Sequence, residues 1–218
     1  MSLKIVQAFA VAIAITLAPL AYADEVTPDE LVRVTTAEIL ALLKEKKSYY
    51  TQDKNRLYSM VDNKILPHFD FRRMSRWVLG IHWRRATDLQ RSAFTTEFRQ
   101  LLVRTYATAL LKYTDQEIIA LPYTGKPDDK ITVVKTEIKQ KTGEPNIALY
   151  YTFYNRRPGW KIFDLTIEGV SLVANYRKVY ATRVQRKGLD ALIKGLVAQN
   201  AKAKKDAVKK SKASSKRG

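Results

Sequence analysis

Ser171, Asp164, His68 and His82 are the residues whose types could carry nucleophilic chemistry: a hydroxyl, a carboxylate to orient a base, and the chain's two imidazoles. A lipid hydrolase built on them would need all three kinds of group within hydrogen-bond reach. Their surroundings favour plainer roles. Ser171 stands where a helix should begin and reads as its cap. Asp164 follows apolar strand residues and reads as the partner of an arginine, and Glu168-Gly169 ends that strand in a turn or bulge. Neither histidine has metal-ligand or HExxH spacing, and the chain has no GxSxG elbow and no phosphate-binding glycine loop. Cysteine is absent, which removes thiolate catalysis, cysteine metal sites and disulfides. No catalytic residue, metal or cofactor is expected.

The second kind of chemistry is anion recognition. Arg72, Arg73, Arg76, Arg84 and Arg85 crowd one aromatic-rich stretch, and guanidinium forks match phosphate oxygens in pairs. They are candidates for binding a phosphate, such as that of a headgroup. A formal net charge of +18 over 218 residues also calls for an anionic partner. Lys4, the apolar run Ile5 to Leu17 and the small-residue pattern Ala21-Tyr22-Ala23 read as a signal peptide cleaved after Ala23, too short to anchor the chain in a membrane. An exported chain without disulfides suits the bacterial periplasm, where phospholipid, not nucleic acid, is the partner to expect. The rival is an exported polyanion-binding module whose aromatics stack on bases.

The elements that must position these groups follow from periodicity. The stretch Leu57 to Tyr113 organises the chain. Pro67 ends one helix, Gly80 closes a short one from Asp70 to Leu79, and Thr87-Asp88-Leu89-Gln90 is a capping box. The long helix after it carries Phe94, Phe98, Leu101, Leu102, Tyr106, Ala109, Leu110 and Tyr113 at helical spacing, and it is apolar on nearly every side beyond Leu101, so it should be buried. Upstream, Thr27-Pro28-Asp29-Glu30 reads as a second capping box before an amphipathic helix with Leu31, Val34, Ile39, Leu42 and Leu43. A further helix runs from about Lys54 to Leu66.

At Gln116 the period changes from helix to strand. Glu117 to Tyr123, Lys130 to Gln140, Ile147 to Asn155 and Trp160 to Glu168 are separated by turn residues and predict four antiparallel strands. Residues two apart share a face, giving the rows Thr132, Val134, Thr136 and Ile138; Leu149, Tyr151 and Phe153; and Phe163, Leu165 and Ile167. Helix returns from Val170, with Gly188 as an interruption. From Ala201 the chain is lysine, alanine and serine with one acid, and it reads as a disordered tail. The expected class is α+β: a four-stranded antiparallel meander wrapped by N-terminal and C-terminal helices. The division is a signal peptide over 1–23, one domain over 24–200 and a tail over 201–218.

Several pieces, in order and spacing, resemble the MlaC family, also called the toluene-tolerance auxiliary family. They are Val61-Asp62 through Leu66-Pro67, Leu79-Gly80, Trp83 to Gln90, Phe94 through Phe98, Leu101-Leu102, Thr105-Tyr106 and Tyr113. Trp160, Asp164, Glu168-Gly169-Val170-Ser171-Leu172 and Gly188-Leu189-Asp190 continue the match. The resemblance implies a periplasmic carrier, without catalysis, whose apolar pocket takes phospholipid acyl chains. It also implies exchange with an outer-membrane lipoprotein–porin complex and an inner-membrane ABC transporter complex that includes a lipid-binding ring. The carrier would be a monomer and would help maintain outer-membrane lipid asymmetry. The lysine-rich tail is not part of the family pattern.

A carrier must hide acyl chains from water, at roughly 0.8 kcal/mol per CH₂, so shielding two chains of some sixteen carbons is worth about 20 kcal/mol or more. The candidate lining is Trp77, Val78, Phe98, Leu101, Leu102, Tyr106, Val134, Ile138, Leu149, Tyr151, Phe153, Phe163, Leu165 and Ile167. Apolar rows of this kind fill solid cores equally well.

Overall fold

The computed structural model describes residues 26–112, 116–140, 143–156 and 159–215, with side chains through Ala207. The expected signal peptide and Tyr113 lie outside the described residues.

Helix α1 (Pro28–Glu45) opens with proline at its first position and Asp29 and Glu30 in its first turn, where negative charge complements the exposed amides. The capping box expected at Thr27 does not form. Thr27 makes no side-chain cap, and Glu30 instead takes the Arg33 guanidinium through two bonds of 2.6 and 2.8 Å. A charge-assisted fork outcompetes a single neutral amide for that carboxylate. Short α2 (Lys47–Gln52) leads to α3 (Lys54–Lys64), capped by Asp53, and a 3₁₀ turn over Leu66–His68 carries Pro67.

Asp70 caps α4 (Phe71–Leu79) by accepting from the Arg73 amide at 2.8 Å. Gly80 then turns the chain into α5 (Ile81–Arg85) at φ +53°, and a Cβ there would sit 3.3 Å from the Arg177 guanidinium. The capping box at Thr87 forms as read, with reciprocal bonds of 3.2 and 2.9 Å to Gln90. It starts α6 (Asp88–Leu110), which buries Phe94, Phe98, Leu101, Leu102, Val103 and Ala107 against α3, α4 and their neighbours.

The sheet has five strands, not four: β1 (Ile118–Ala120), β2 (Ile131–Ile138), β3 (Ile147–Asn155), β4 (Trp160–Ile167) and β5 (Val170–Ser171), in sequential antiparallel order. The fifth arises because Glu168 and Gly169 both take positive φ, 49° and 76°, reversing the chain in two residues so that Ile167 pairs with Val170. A bulge interrupts the pairing of β3 with β4: Thr152 faces Asp164 but Phe153 faces Ile162, leaving Phe163 as the extra residue. Ile162 therefore joins Phe153 on the inward face. Phe163 leaves that face and meets Tyr154 and Trp77 at ring distances of 5.9 and 6.0 Å.

Helices α7 (Leu172–Lys187) and α8 (Leu189–Ser215) follow, joined at Gly188 with φ +81°. The segment from Ala201, expected to be disordered, continues α8 through Ser215; alanine and lysine are among the stronger helix formers. One apolar cluster joins α4, α6, α7 and α8, a second joins α1 to α3 with α6, and a third sets Val32 of α1 against Val134, Phe153, Trp160 and Ile162 of the sheet. Among the described residues no helix is long and apolar enough to cross a membrane.

Candidate functional site

Between α1, α3, α6 and the inward face of the sheet lies a cavity of 260 Å³, or 1320 Å³ of atom-free space when its open end is counted. Helix α1 contributes Leu31, Val32, Thr35, Thr36, Ile39, Leu40 and Leu43. The α3 end, the turn after it and α4 add Val61, Ile65, Leu66, His68, Phe69, Phe71 and Met74. Helix α6 adds Leu102, Val103, Tyr106, Ala107 and Leu110; the strands add Ile118, Ile138, Leu149, Tyr151, Phe153, Ile162 and Leu165; α7 adds Leu172. No Asp, Glu, Lys or Arg is among these side chains.

The few polar groups of the lining are neutral. Burial pushes the Tyr151 phenol up to about 12, against the opposing pull of hydrogen bonds with the Thr136 and Thr36 hydroxyls. The Thr136 hydroxyl also lies within hydrogen-bond distance of the Leu149 carbonyl, to which it donates at 3.0 Å. Burial first, and the nearby Lys161 second, hold the His68 imidazole below its ordinary value, and it is uncharged at pH 7. The cavity thus offers apolar surface and a handful of hydroxyls to whatever enters it.

Of the residues expected from the strand and helix rows, Leu102, Tyr106, Ile138, Leu149, Tyr151, Phe153 and Leu165 line this cavity. The others do not, each for an identifiable reason. Val78, Phe98 and Leu101 are taken up in the apolar cluster that joins α4, α6, α7 and α8, where Phe98 stacks on Phe94 at 5.6 Å and meets Tyr176 edge-on at 5.2 Å. Val134 is taken up in the solid contact with Val32, and the bulge turns Phe163 away. Ile167 packs against the cluster that holds Phe98, and Trp77 lies on the surface with 45% of its area exposed. Of the α1 residues read from the sequence as its apolar face, Leu31, Ile39 and Leu43 line the cavity and Val34 is 49% exposed, while Val32 and Thr36, which the sequence did not single out, line it too.

None of Arg72, Arg73, Arg76, Arg84 and Arg85 reaches the cavity lining. Arg73 lies over the Tyr154 ring at 3.9 Å and Phe163 at 5.1 Å, Arg72 lies 5.9 Å from Trp83, and Arg76, Arg84 and Arg85 are exposed. Helix α4 points its polar edge outward, and the crowding of arginines in sequence reflects that edge. Among the described residues Asp164 has no arginine partner. It accepts from the amides of Leu165 at 2.8 Å and Val173 at 3.0 Å and from the Ser171 hydroxyl, while Ser171 caps α7 by accepting from Ala174 at 3.0 Å. Serine and carboxylate are thus committed to the junction of β4 with α7, and neither histidine is among their hydrogen-bond partners. The described residues hold no cluster of three or more His, Cys, Asp or Glu groups suited to a metal ion.

A family model described as MlaC protein matches residues 33–198. The chain belongs to the MlaC family. It is 31% identical over 187 residues to the toluene tolerance protein ttg2D of Pseudomonas putida, covering 83% of this chain and 85% of that one. It is 27% identical over 171 residues to a Haemophilus influenzae protein named intermembrane phospholipid transport system binding protein MlaC, covering 78% and 80%. A crystal structure of a phospholipid-binding protein from Ralstonia solanacearum, in complex with a phospholipid, superposes with a TM-score of 0.73 at 30% identity, covering 80% of this chain and 97% of that one. The family match ends at residue 198, so the lysine-rich end of α8 lies beyond it.

Proposed function

We propose that this protein is a periplasmic phospholipid carrier that encloses acyl chains and catalyses no reaction. The observation that carries the reading is the cavity whose lining holds no ionisable group that is charged at neutral pH. Buried charges are costly unless paired, so a cavity meant for a polar substrate would carry partners for it, and this one carries methyls, rings and hydroxyls. Acyl chains gain about 0.8 kcal/mol for each methylene moved from water into such a space. The phospholipid held by the Ralstonia relative supports the same reading, as does the transport role in the name of the Haemophilus relative.

The leader-like residues 1–23 support export to the periplasm, with the carrier cycling between an outer-membrane lipoprotein–porin complex and an inner-membrane ABC transporter complex and its lipid-binding ring. Transfer tests the function directly. Vesicles carrying a self-quenched fluorescent phospholipid are mixed with unlabelled acceptor vesicles, and the protein should accelerate dequenching in proportion to its concentration. An unchanged transfer rate at protein concentrations matching the label would refute the carrier reading. Loss of intact phospholipid with release of fatty acid would favour a hydrolase instead.

A further inference from the structure

Helix α8 carries a row of lysines along the edge that faces away from the protein. Its inner edge is fixed by Leu192, Leu196 and Asn200, all buried and each four residues after the last. Asn200 locks the rotation of the helix, because its side-chain amide donates to the Glu97 carbonyl at 3.0 Å and to the Glu97 carboxylate at 2.7 Å. Two residues beyond a buried position an α-helix has turned through more than half a circle. Lys194 and Lys202, two beyond Leu192 and Asn200, therefore stand on the outer edge, and Lys205 follows nearly one turn later. All three are exposed, with no ion-pair partner among the described residues. The helix continues through Ser215, and Lys209 and Lys212 extend the same row by position. Lys204 lies off the row and lines a groove with Arg99 and Arg104. Beyond residue 198, where the family match ends, the chain has a single acid, Asp206.

We infer that this row is an electrostatic docking surface for an anionic phospholipid bilayer, separate from the lipid cavity and independent of the carrier reading. The side chains present select that occupant. Lysine is a point charge on a flexible stem and suits the scattered phosphates of a headgroup plane, whereas a defined phosphate site favours the arginine fork. Residues 198–218 hold seven lysines, one arginine and no aromatic, so nothing there stacks on bases as a single-strand binder requires. The outer edge beside the lysines carries Ala191, Ala198 and Ala201, all exposed. It lacks the Trp, Tyr or Arg anchors of a protein interface and the apolar face of a helix that inserts among acyl chains. What remains is attraction to a charged surface, about fivefold in partitioning for each lysine that reaches it.

The test is cosedimentation of the full protein with vesicles of phosphatidylcholine, with and without phosphatidylglycerol. It is run at about 0.1 M salt, where charges are screened over about 10 Å, the width of a helix. The wild type should bind the anionic vesicles and not the neutral ones, and about 1 M salt should release it. Lys202→Gln with Lys209→Gln should weaken binding by about twenty-fivefold, while Lys204→Gln with Lys210→Gln, the same charge taken from off the row, should weaken it by about fivefold or less. Glutamine matches lysine in helix propensity, so helix content by circular dichroism should be unchanged, and Lys202→Arg with Lys209→Arg should bind as the wild type does. Equal losses from the two Gln pairs would overturn the oriented row. An unmoved row pair, or a wild type that ignores anionic vesicles, would overturn the surface altogether. Tighter binding to a single-stranded oligonucleotide, lost in the same row pair, would overturn the bilayer as its occupant. Phospholipid extracted from the purified wild type and row pair should be equal, since no lysine of the row lines the cavity; a loss of cargo in the row pair would overturn that separation.

Discussion

Replacing Ala107 with phenylalanine should stabilise the lipid-free protein and weaken its hold on lipid, a pair of opposite signs that only a hollow interior allows. Ala107 sits on α6 with 4% of its surface exposed, and it lines the 260 Å³ cavity. A phenyl ring placed there fills space that is otherwise empty. Full burial of such a side chain contributes about 1.5 to 3 kcal/mol, and about 1 kcal/mol of lost rotamer freedom reduces the gain to about 1 or 2. For a chain of this size the melting temperature should rise by roughly 2 to 8 °C. In a solid core the same change would overpack the site and cost about 1 to 3 kcal/mol, so the melting temperature would fall. The ring also displaces roughly three methylenes of bound chain, about 2.4 kcal/mol and therefore about 60-fold in lipid affinity. Circular dichroism melts of the lipid-free variant, with lipid retention measured beside them, decide the matter. A lower melting temperature with undiminished lipid retention would refute the reasoning.

Other expectations follow from the same contacts. Ser171→Ala removes the cap of α7 and should cost about 1 kcal/mol in urea unfolding, whereas Asp164→Ala also strips two amides and a hydroxyl of their acceptor and should cost about 2 to 3; equal costs would mean that the carboxylate is not the organiser of this junction. Gly80→Ala forces a Cβ to positive φ and to 3.3 Å from Arg177, and should lower stability by about 1 to 3 kcal/mol, with no loss in thermal melts as the contrary result. The phenols of Tyr151 and Tyr176 are pushed up to about 12, chiefly by burial, so between pH 10 and 12 the unfolded chain loses their protons while the folded chain keeps them. Stability should be insensitive to these groups below pH 9 and then fall with rising pH, by up to about 1.4 kcal/mol per unit for each. Absorbance titration of tyrosinate should show late-titrating groups that shift towards pH 10 on unfolding, and a single transition near 10 in the native protein would contradict this.

Local rules made most of the fold legible. The capping box at Thr87, the stop at Pro67, the turn at Gly80 and the change from helical to strand period at Gln116 are short-range events, and each appears in the structure near its predicted place. Where two local partners compete, the pattern misleads: Glu30 satisfies the capping motif in sequence but binds Arg33 in the structure. The candidate site was half legible because alternation identifies a face without saying what lies above it. Leu149 and Tyr151 look onto a cavity, while Val134 on the same face of the sheet meets Val32. The bulge at Thr152 and Phe153 inverts the alternation for Phe163, and no residue type announces it. The arginines of α4 and α5 attracted attention by crowding in sequence. Arg99 and Arg104 of α6 meet the sequence-distant Lys204 only because α8 packs on α6.

Native mass spectrometry of the purified protein, followed by organic extraction, tests the central claim most directly. The account predicts a mass excess equal to one or more phospholipids, which extraction removes and incubation with phospholipid vesicles restores, and which Ala107→Phe diminishes. A bare polypeptide mass that persists after incubation with vesicles would contradict it.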